Sequence, residues 1–229
     1  MSPRRRRLTS RDAAQVALGA GLVAALGLPG AIAVFGSAVP ITLQTMGVML
    51  VGSLLGARKG ALSMVLFLGL VAAGLPLLAG GRGGLGVFAG PSAGYLIAWP
   101  LAAWVIGRIV ATGRHGYRWP RGLTANLVGG VGVVYALGIP VQAWRTEVPL
   151  PETAVLAAAF VPGDLVKALL ATAVAVGVHR ALPDLLGVAP RTPTTGGPAS
   201  IDSRLDSGPD SGPDSGPHSA PNDRDPLTH

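Results

Sequence analysis

Two ionisable residues, Asp164 and Lys167, stand inside an otherwise apolar run, in the segment Val161-Pro-Gly-Asp-Leu-Val-Lys-Ala168. Three positions apart, they share one face of a helix. Pro162 and Gly163 suit a helix start, so Asp164 falls in the first turn, where the positive end of the helix dipole favours a carboxylate. Such a pair can present an acceptor and a cationic donor to a polar ligand. It can equally neutralise itself or cap the helix, and both roles are open at this point. Ionisable groups within an apolar span are costly and face an interior or a cavity, which favours the ligand-binding role.

A second candidate is the segment from Gly80 to Tyr95, which contains Gly80, Gly81, Arg82, Gly83 and Gly84 and closes on Gly90-Pro-x-x-Gly-Tyr95. Glycines at this density let the backbone turn tightly and approach a ligand with its amides; a flexible re-entrant turn is the alternative, with Tyr95 and Phe88 as interfacial anchors. The third candidate is Gln44, where Val39-Pro-Ile-Thr-Leu-Gln-Thr45 enters an apolar run. An amide in hydrocarbon needs a partner, either a neighbouring helix or a ligand, and helix bonding is the commoner role. Small residues recur at Ala13, Ala17, Gly21 and Ala25, with a second register at Ala20 and Ala24, and Gly52-x-x-x-Gly56 repeats the spacing. These let another helix come close, from the same bundle or from a partner protein.

Several chemistries are excluded. Gly81-x-Gly83-x-x-Gly86 matches a dinucleotide fingerprint in letters only, because no strand precedes it and no acidic residue follows at the required distance. There is no Walker A sequence and no G-x-S-x-G, so uphill transport would need an external ATPase. His115, His179, His218 and His229 are scattered without metal-ligand spacing, and cysteine is absent, so neither a metal nor any other cofactor is expected. The net charge of +7 does not indicate a nucleic-acid partner, since the arginines are neither on one amphipathic element nor interleaved with aromatics.

The elements that must position these residues are membrane helices. Hydrophobic residues make up 49% of the 229 and charged residues 13%, too few charges to cover a water-facing surface. Apolar runs at Ala13–Phe35, Pro40–Gly56, Ala61–Ala79, Pro91–Val110, Leu123–Ala143 and Pro162–Leu182 each approach the length needed to cross a core of roughly 30 Å. A shorter apolar piece, Thr153–Val161, is separated from the last run by Pro162. The first run is too long for a signal-peptide core and reads as a retained helix. Lys and Arg crowd alternate joints (Arg4 to Arg7, Arg11, Arg58, Lys59, Arg108, Arg114, Arg118, Arg121, Arg180), leaving only Arg82 and Arg145 on the other side. The positive-inside rule then puts both termini in the cytoplasm and Asp164, Lys167 and the glycine segment outside. The expected fold is an all-α integral membrane protein of six transmembrane helices in the cell membrane. Its parts are a basic cytoplasmic N-terminus (1–11), a membrane domain (12–182) and a Ser/Gly/Pro/Asp-rich tail (188–229), whose composition predicts a disordered cytoplasmic segment.

Taken together, Pro40-Ile-Thr-Leu-Gln-Thr45, Gly52-x-x-x-Gly-Ala-Arg-x-Gly60, Gly74-Leu-Pro76, Gly90-Pro-x-x-Gly-Tyr95 and Pro162-Gly-Asp-x-x-Lys-Ala168 resemble the BioY-type biotin transporter substrate-binding subunits. The resemblance runs from about Asp12 to Leu182 and leaves out the tail. It implies a six-helix subunit of an energy-coupling factor transporter that binds biotin at the outer side and associates with a membrane coupling protein and two ATPases. It also implies that Asp164, Lys167 and the region Gly80 to Gly84 contact the vitamin. Some relatives carry an amide side chain in that loop; this chain carries Arg82. A ureido ring with two N–H donors and a carbonyl suits an Asp/Lys pair, and a carboxylate suits a lysine. Two other readings remain: a sibling subunit for another vitamin, and a membrane enzyme with Asp164 as general base.

Overall fold

The computed structural model describes residues 9–31, 39–112 and 117–182. Most of the basic N-terminus and the whole tail from Val188 lie outside the described residues, as do Phe35, Arg114 and His115. Six long or medium helices are described, α1 (Ser10–Ala25), α2 (Gln44–Ala72), α3 (Ala93–Ala111), α4 (Trp119–Thr146), α5 (Leu150–Ala158) and α6 (Val161–Ala181), together with one 3-10 turn at Leu85–Phe88. Among the described residues there is no strand; Leu78 and Arg82 form an isolated bridge. Of these helices, α2, α3, α4 and α6 are long and apolar enough to cross a membrane.

The last helix shows how such a sequence packs. Asp164, Lys167, Ala168, Ala171, Thr172 and Ala175 are buried, whereas Leu165, Val166, Leu169, Leu170 and Val174 are exposed. Both sets follow the helical repeat, but the large apolar side chains point outward and the small or polar ones inward, the reverse of a water-soluble helix. With lipid as solvent, helix association comes from close packing rather than from hiding leucine. Gly107 of α3 illustrates this, since a Cβ there would land on the backbone of Gly56 and Ala57.

Within α2 the backbone breaks at Gly56, whose φ of 76° is open to glycine and strained for other residues. The chain doubles back there. A Cβ on Gly60 would meet Val51 and Gly52, which a straight helix would hold roughly 12 Å away along its axis. The two expected runs Pro40–Gly56 and Ala61–Ala79 are therefore two arms of one hairpin.

The expected ends of two runs are corrected. The run Ala61–Ala79 stops as helix at Ala72, because Gly74 takes a left-handed φ of 104° and Pro76 cannot continue the helix. The first helix ends at Ala25, ahead of Gly27, Pro29 and a left-handed Gly30, rather than continuing towards Phe35. It begins with a capping box. The Thr9 hydroxyl accepts from the Asp12 amide at 3.2 Å, and the Thr9 amide donates to the Asp12 carboxylate at 3.0 Å.

Helix α4 carries a wide π turn over Asn126–Val133, with Gly129 and Gly130 packed against Ile106 and Met49. The turn ends directly before Val134 and Tyr135, both of which face the cleft described below, so it sets the rotation at which they arrive. Asn126 ties three helices: it accepts from Ser53 at 3.1 Å and donates to Thr172 at 3.0 Å, all three side chains being buried. At this same end of the bundle His179 approaches the Ser53 carbonyl, and Lys59 bonds Gln15 and pairs with Asp12.

Candidate functional site

At the opposite end from this network, α2, α3, α4 and α6 enclose a cleft whose empty space, counted together with its open mouth, is about 620 Å³. Its polar centre is the pair anticipated from spacing. Lys167 Nζ lies 3.0 Å from Asp164 Oδ1, with both side chains nine-tenths or more buried. The pair is not isolated. The Tyr135 hydroxyl donates to Asp164 Oδ2 at 2.5 Å, and Lys167 also donates to Thr45 Oγ1 at 3.2 Å. Asp164 thus has one donor on each oxygen and a lone pair to spare on each, while the ammonium, with three protons, keeps a donor for a ligand.

Pro162 sits at the start of α6 and Asp164 in its first turn, separated from α5 by the bend at Ala159 and Phe160. This is the interruption that Pro162 implies. Phe160 closes one side of the cleft, and Tyr95 and Trp99, one turn apart on α3, form another wall. The Tyr95 hydroxyl is already spent on Gln142 of α4 at 2.7 Å, so Tyr95 offers the cleft its ring. The Trp99 indole N–H is buried with no partner among the described residues.

Gln44 reaches the cleft wall but its amide is committed. Its Nε2 donates to the carbonyls of Val23 (3.3 Å) and Leu77 (3.0 Å), and its Oε1 accepts from the Ala79 amide at 2.9 Å. It braces the end of α1 and the glycine segment against α2.

The glycine segment folds as a turn closed by backbone hydrogen bonds. Leu78 and Arg82 exchange both backbone hydrogen bonds (3.0 and 3.2 Å), the Gly81 amide also bonds Leu78, and the Gly84 amide bonds Val71 at 2.7 Å. Gly80, Gly81 and Gly84 adopt left-handed φ values, which explains glycine there as turn geometry. Of this segment, Arg82 lines the cleft together with Leu78. Gly80 and Gly81 instead line a separate groove beside Ala24 to Gly30, and Gly83 packs on the Leu75 backbone.

Sequence reasoning missed Tyr135, Thr45, Trp99 and Phe160. Trp99 was findable as the residue one turn below Tyr95, and Thr45 as the neighbour of Gln44. Tyr135 lies 29 positions from Asp164, with no spacing signal connecting them.

The small-residue registers of α1 separate cleanly. Ala13, Ala17, Gly21 and Ala25 are exposed, and a Cβ on Gly21 would meet nothing within 4 Å, while Ala20 is buried in the bundle core.

A closed bundle with an acid and a lysine buried at the wall of an end cleft is the arrangement against which known proteins can be compared. The sequence model of the BioY family matches residues 2–184. The chain belongs to the BioY family. It is 45% identical over 171 residues to the probable biotin transporter BioY of Bacillus subtilis, covering 75% of this chain and 91% of that one. It is 42% identical over 169 residues to the biotin transporter BioY of Rhizobium etli, covering 72% and 90%. Among solved structures, the S-component for biotin from an ECF-type ABC transporter superposes with a TM-score of 0.70 at 32% identity, covering 76% of this chain and 95% of that chain. This BioY-family chain is accordingly a multi-pass membrane protein, and its relatives are named for transport, not catalysis.

Proposed function

We propose that this BioY-family protein is the biotin-binding S subunit of an energy-coupling factor transporter, taking biotin from the outer face for uptake powered by partner ATPases through a membrane coupling protein. The observation that carries the reading is the buried Asp164–Lys167 pair at the wall of the end cleft, in a chain whose relatives are named biotin transporters. A carboxylate with one spare lone pair on each oxygen suits the two N–H groups of a ureido ring, and the lysine suits its carbonyl. Tyr95, Trp99 and Phe160 supply aromatic walls for the apolar sulfur ring and acyl chain.

In this reading Asp164, Lys167 and Arg82 contact the vitamin, Tyr95 shapes the cleft, and Gln44 with Gly80, Gly81, Gly83 and Gly84 holds the loop that presents Arg82. The six crossings are α1, the two arms of α2, α3, α4 and α6, in the plasma membrane with both termini cytoplasmic, and residues 12–182 form the membrane domain. Supporting the orientation, Lys59 and His179, neighbours of Arg58 and Arg180, meet the network at the end away from the cleft. The face Ala13, Ala17, Gly21 and Ala25 is the docking surface for the coupling protein, supported by its exposure among the described residues.

The deciding experiment is calorimetric titration of the purified protein with biotin, thiamine and riboflavin. Saturable one-to-one binding of biotin at or below micromolar concentration is expected. Absence of biotin binding, or saturation by another vitamin instead, overturns the reading.

A further inference from the structure

The charges around the cleft do not balance. Among the described residues, three side chains of charged type line it: Asp164, Lys167 and Arg82. Asp164 and Lys167 neutralise each other at 3.0 Å in a buried setting. Arg82, exposed at the mouth, makes no ion pair among the described residues, and its one hydrogen bond is from Nε to the Ala79 carbonyl of its own turn, at 3.4 Å. The segment 32–38, which precedes the cleft-lining residues Val39 to Thr42, contains no carboxylate that could pair with it. Among the described residues, the cleft therefore carries one uncompensated positive charge at its mouth.

The backbone beneath that charge is fixed. Leu78 and Arg82 close their turn with two backbone bonds, and Gln44 pins the same turn through the Leu77 carbonyl and the Ala79 amide. The guanidinium thus extends from an anchored position, with its terminal N–H groups free for a planar acceptor. A carboxylate matches that fork with two parallel hydrogen bonds, which an amide or ester cannot reproduce with charge.

We propose that Arg82 is the residue by which this protein recognises the carboxylate of its ligand, so that the cleft selects the free acid over neutral carboxyl derivatives. The inference rests on the biotin reading above: the ureido ring engages the buried Asp164 and Lys167, and the acyl chain leads its carboxylate to Arg82. The ligand's single negative charge then brings the occupied site to neutrality.

The test compares biotin with biotin carboxamide, a neutral ligand of nearly the same shape, by calorimetry on the full-length protein and on Arg82→Gln and Arg82→Lys. The wild type is expected to prefer biotin over the carboxamide by ten- to a hundredfold, with the preference shrinking as salt is raised. Arg82→Gln should weaken biotin to the level of the carboxamide while changing carboxamide binding less than about threefold, which also shows that the variant is folded. Arg82→Lys should retain part of the preference. Arg82→Gln that keeps the wild-type preference, or that weakens both ligands equally, overturns the assignment while leaving biotin binding intact. A wild type that binds neither ligand removes the biotin reading and this inference with it.

Discussion

Asp164 and Lys167 are each held by a neutral partner as well as by one another, and this decides what their substitution should do. Asp164→Asn removes the charge that compensates a buried ammonium, a loss on the order of 3–5 kcal/mol when one member of a buried pair is deleted. A drop in thermal midpoint and a loss of biotin affinity of more than a hundredfold are expected together. The double change Asp164→Leu with Lys167→Met separates the two effects, because replacing a whole buried pair by apolar groups is close to neutral for stability. Its thermal midpoint in detergent should return towards wild type while biotin binding stays lost. Recovery of binding in the double variant would show that the pair is a structural tie. The spacing of the two residues revealed that they share a face, but their tie to Thr45 crosses 122 positions of sequence and exists only after packing.

Helices in this protein are fitted by small residues, and two glycines of the same residue type have opposite roles. At Gly107 a Cβ would overlap the backbone of Gly56 and Ala57, where the two arms of α2 join. Gly107→Ala should therefore lower the thermal midpoint by several degrees, since backbone cannot yield as a flexible side chain can. Gly21 faces open space, so Gly21→Trp should leave the midpoint and biotin binding unchanged yet weaken capture of the coupling protein in a pull-down. Unaltered capture would remove α1 as the docking face. Sequence spacing placed Gly21 among the small residues of α1 and gave no sign of Gly107; the neighbours found by packing distinguish the two. The hairpin at Gly56 is similar. Two apolar runs were legible, and the φ of 76° that reverses the chain between them was not.

At the scale of the whole molecule, the arrangement of two unlike ends is what makes a transport subunit plausible: a charged cleft at one end, and at the other a neutral polar network beside basic residues. Orientation can be tested directly because the chain has no cysteine. Leu85→Cys, in the exposed glycine segment, should react with a membrane-impermeant maleimide on intact cells, and Arg118→Cys only after the membrane is opened. The opposite pattern would invert the proposed topology. The sequence by itself determined the membrane class, the break at Pro162, the face shared by Asp164 and Lys167 and the family resemblance, because apolar length, proline and helical spacing act locally along the chain. It left the glycine segment open between a ligand-binding loop and a turn, and Gln44 between a brace and a ligand contact. The tertiary structure showed the hydrogen bonds that close that turn and hold the Gln44 amide, and it decided the entry of Tyr135, Thr45 and Trp99 into the cleft, because hydrogen bonds between segments far apart in sequence depend on helix rotation and close packing, which no local pattern encodes.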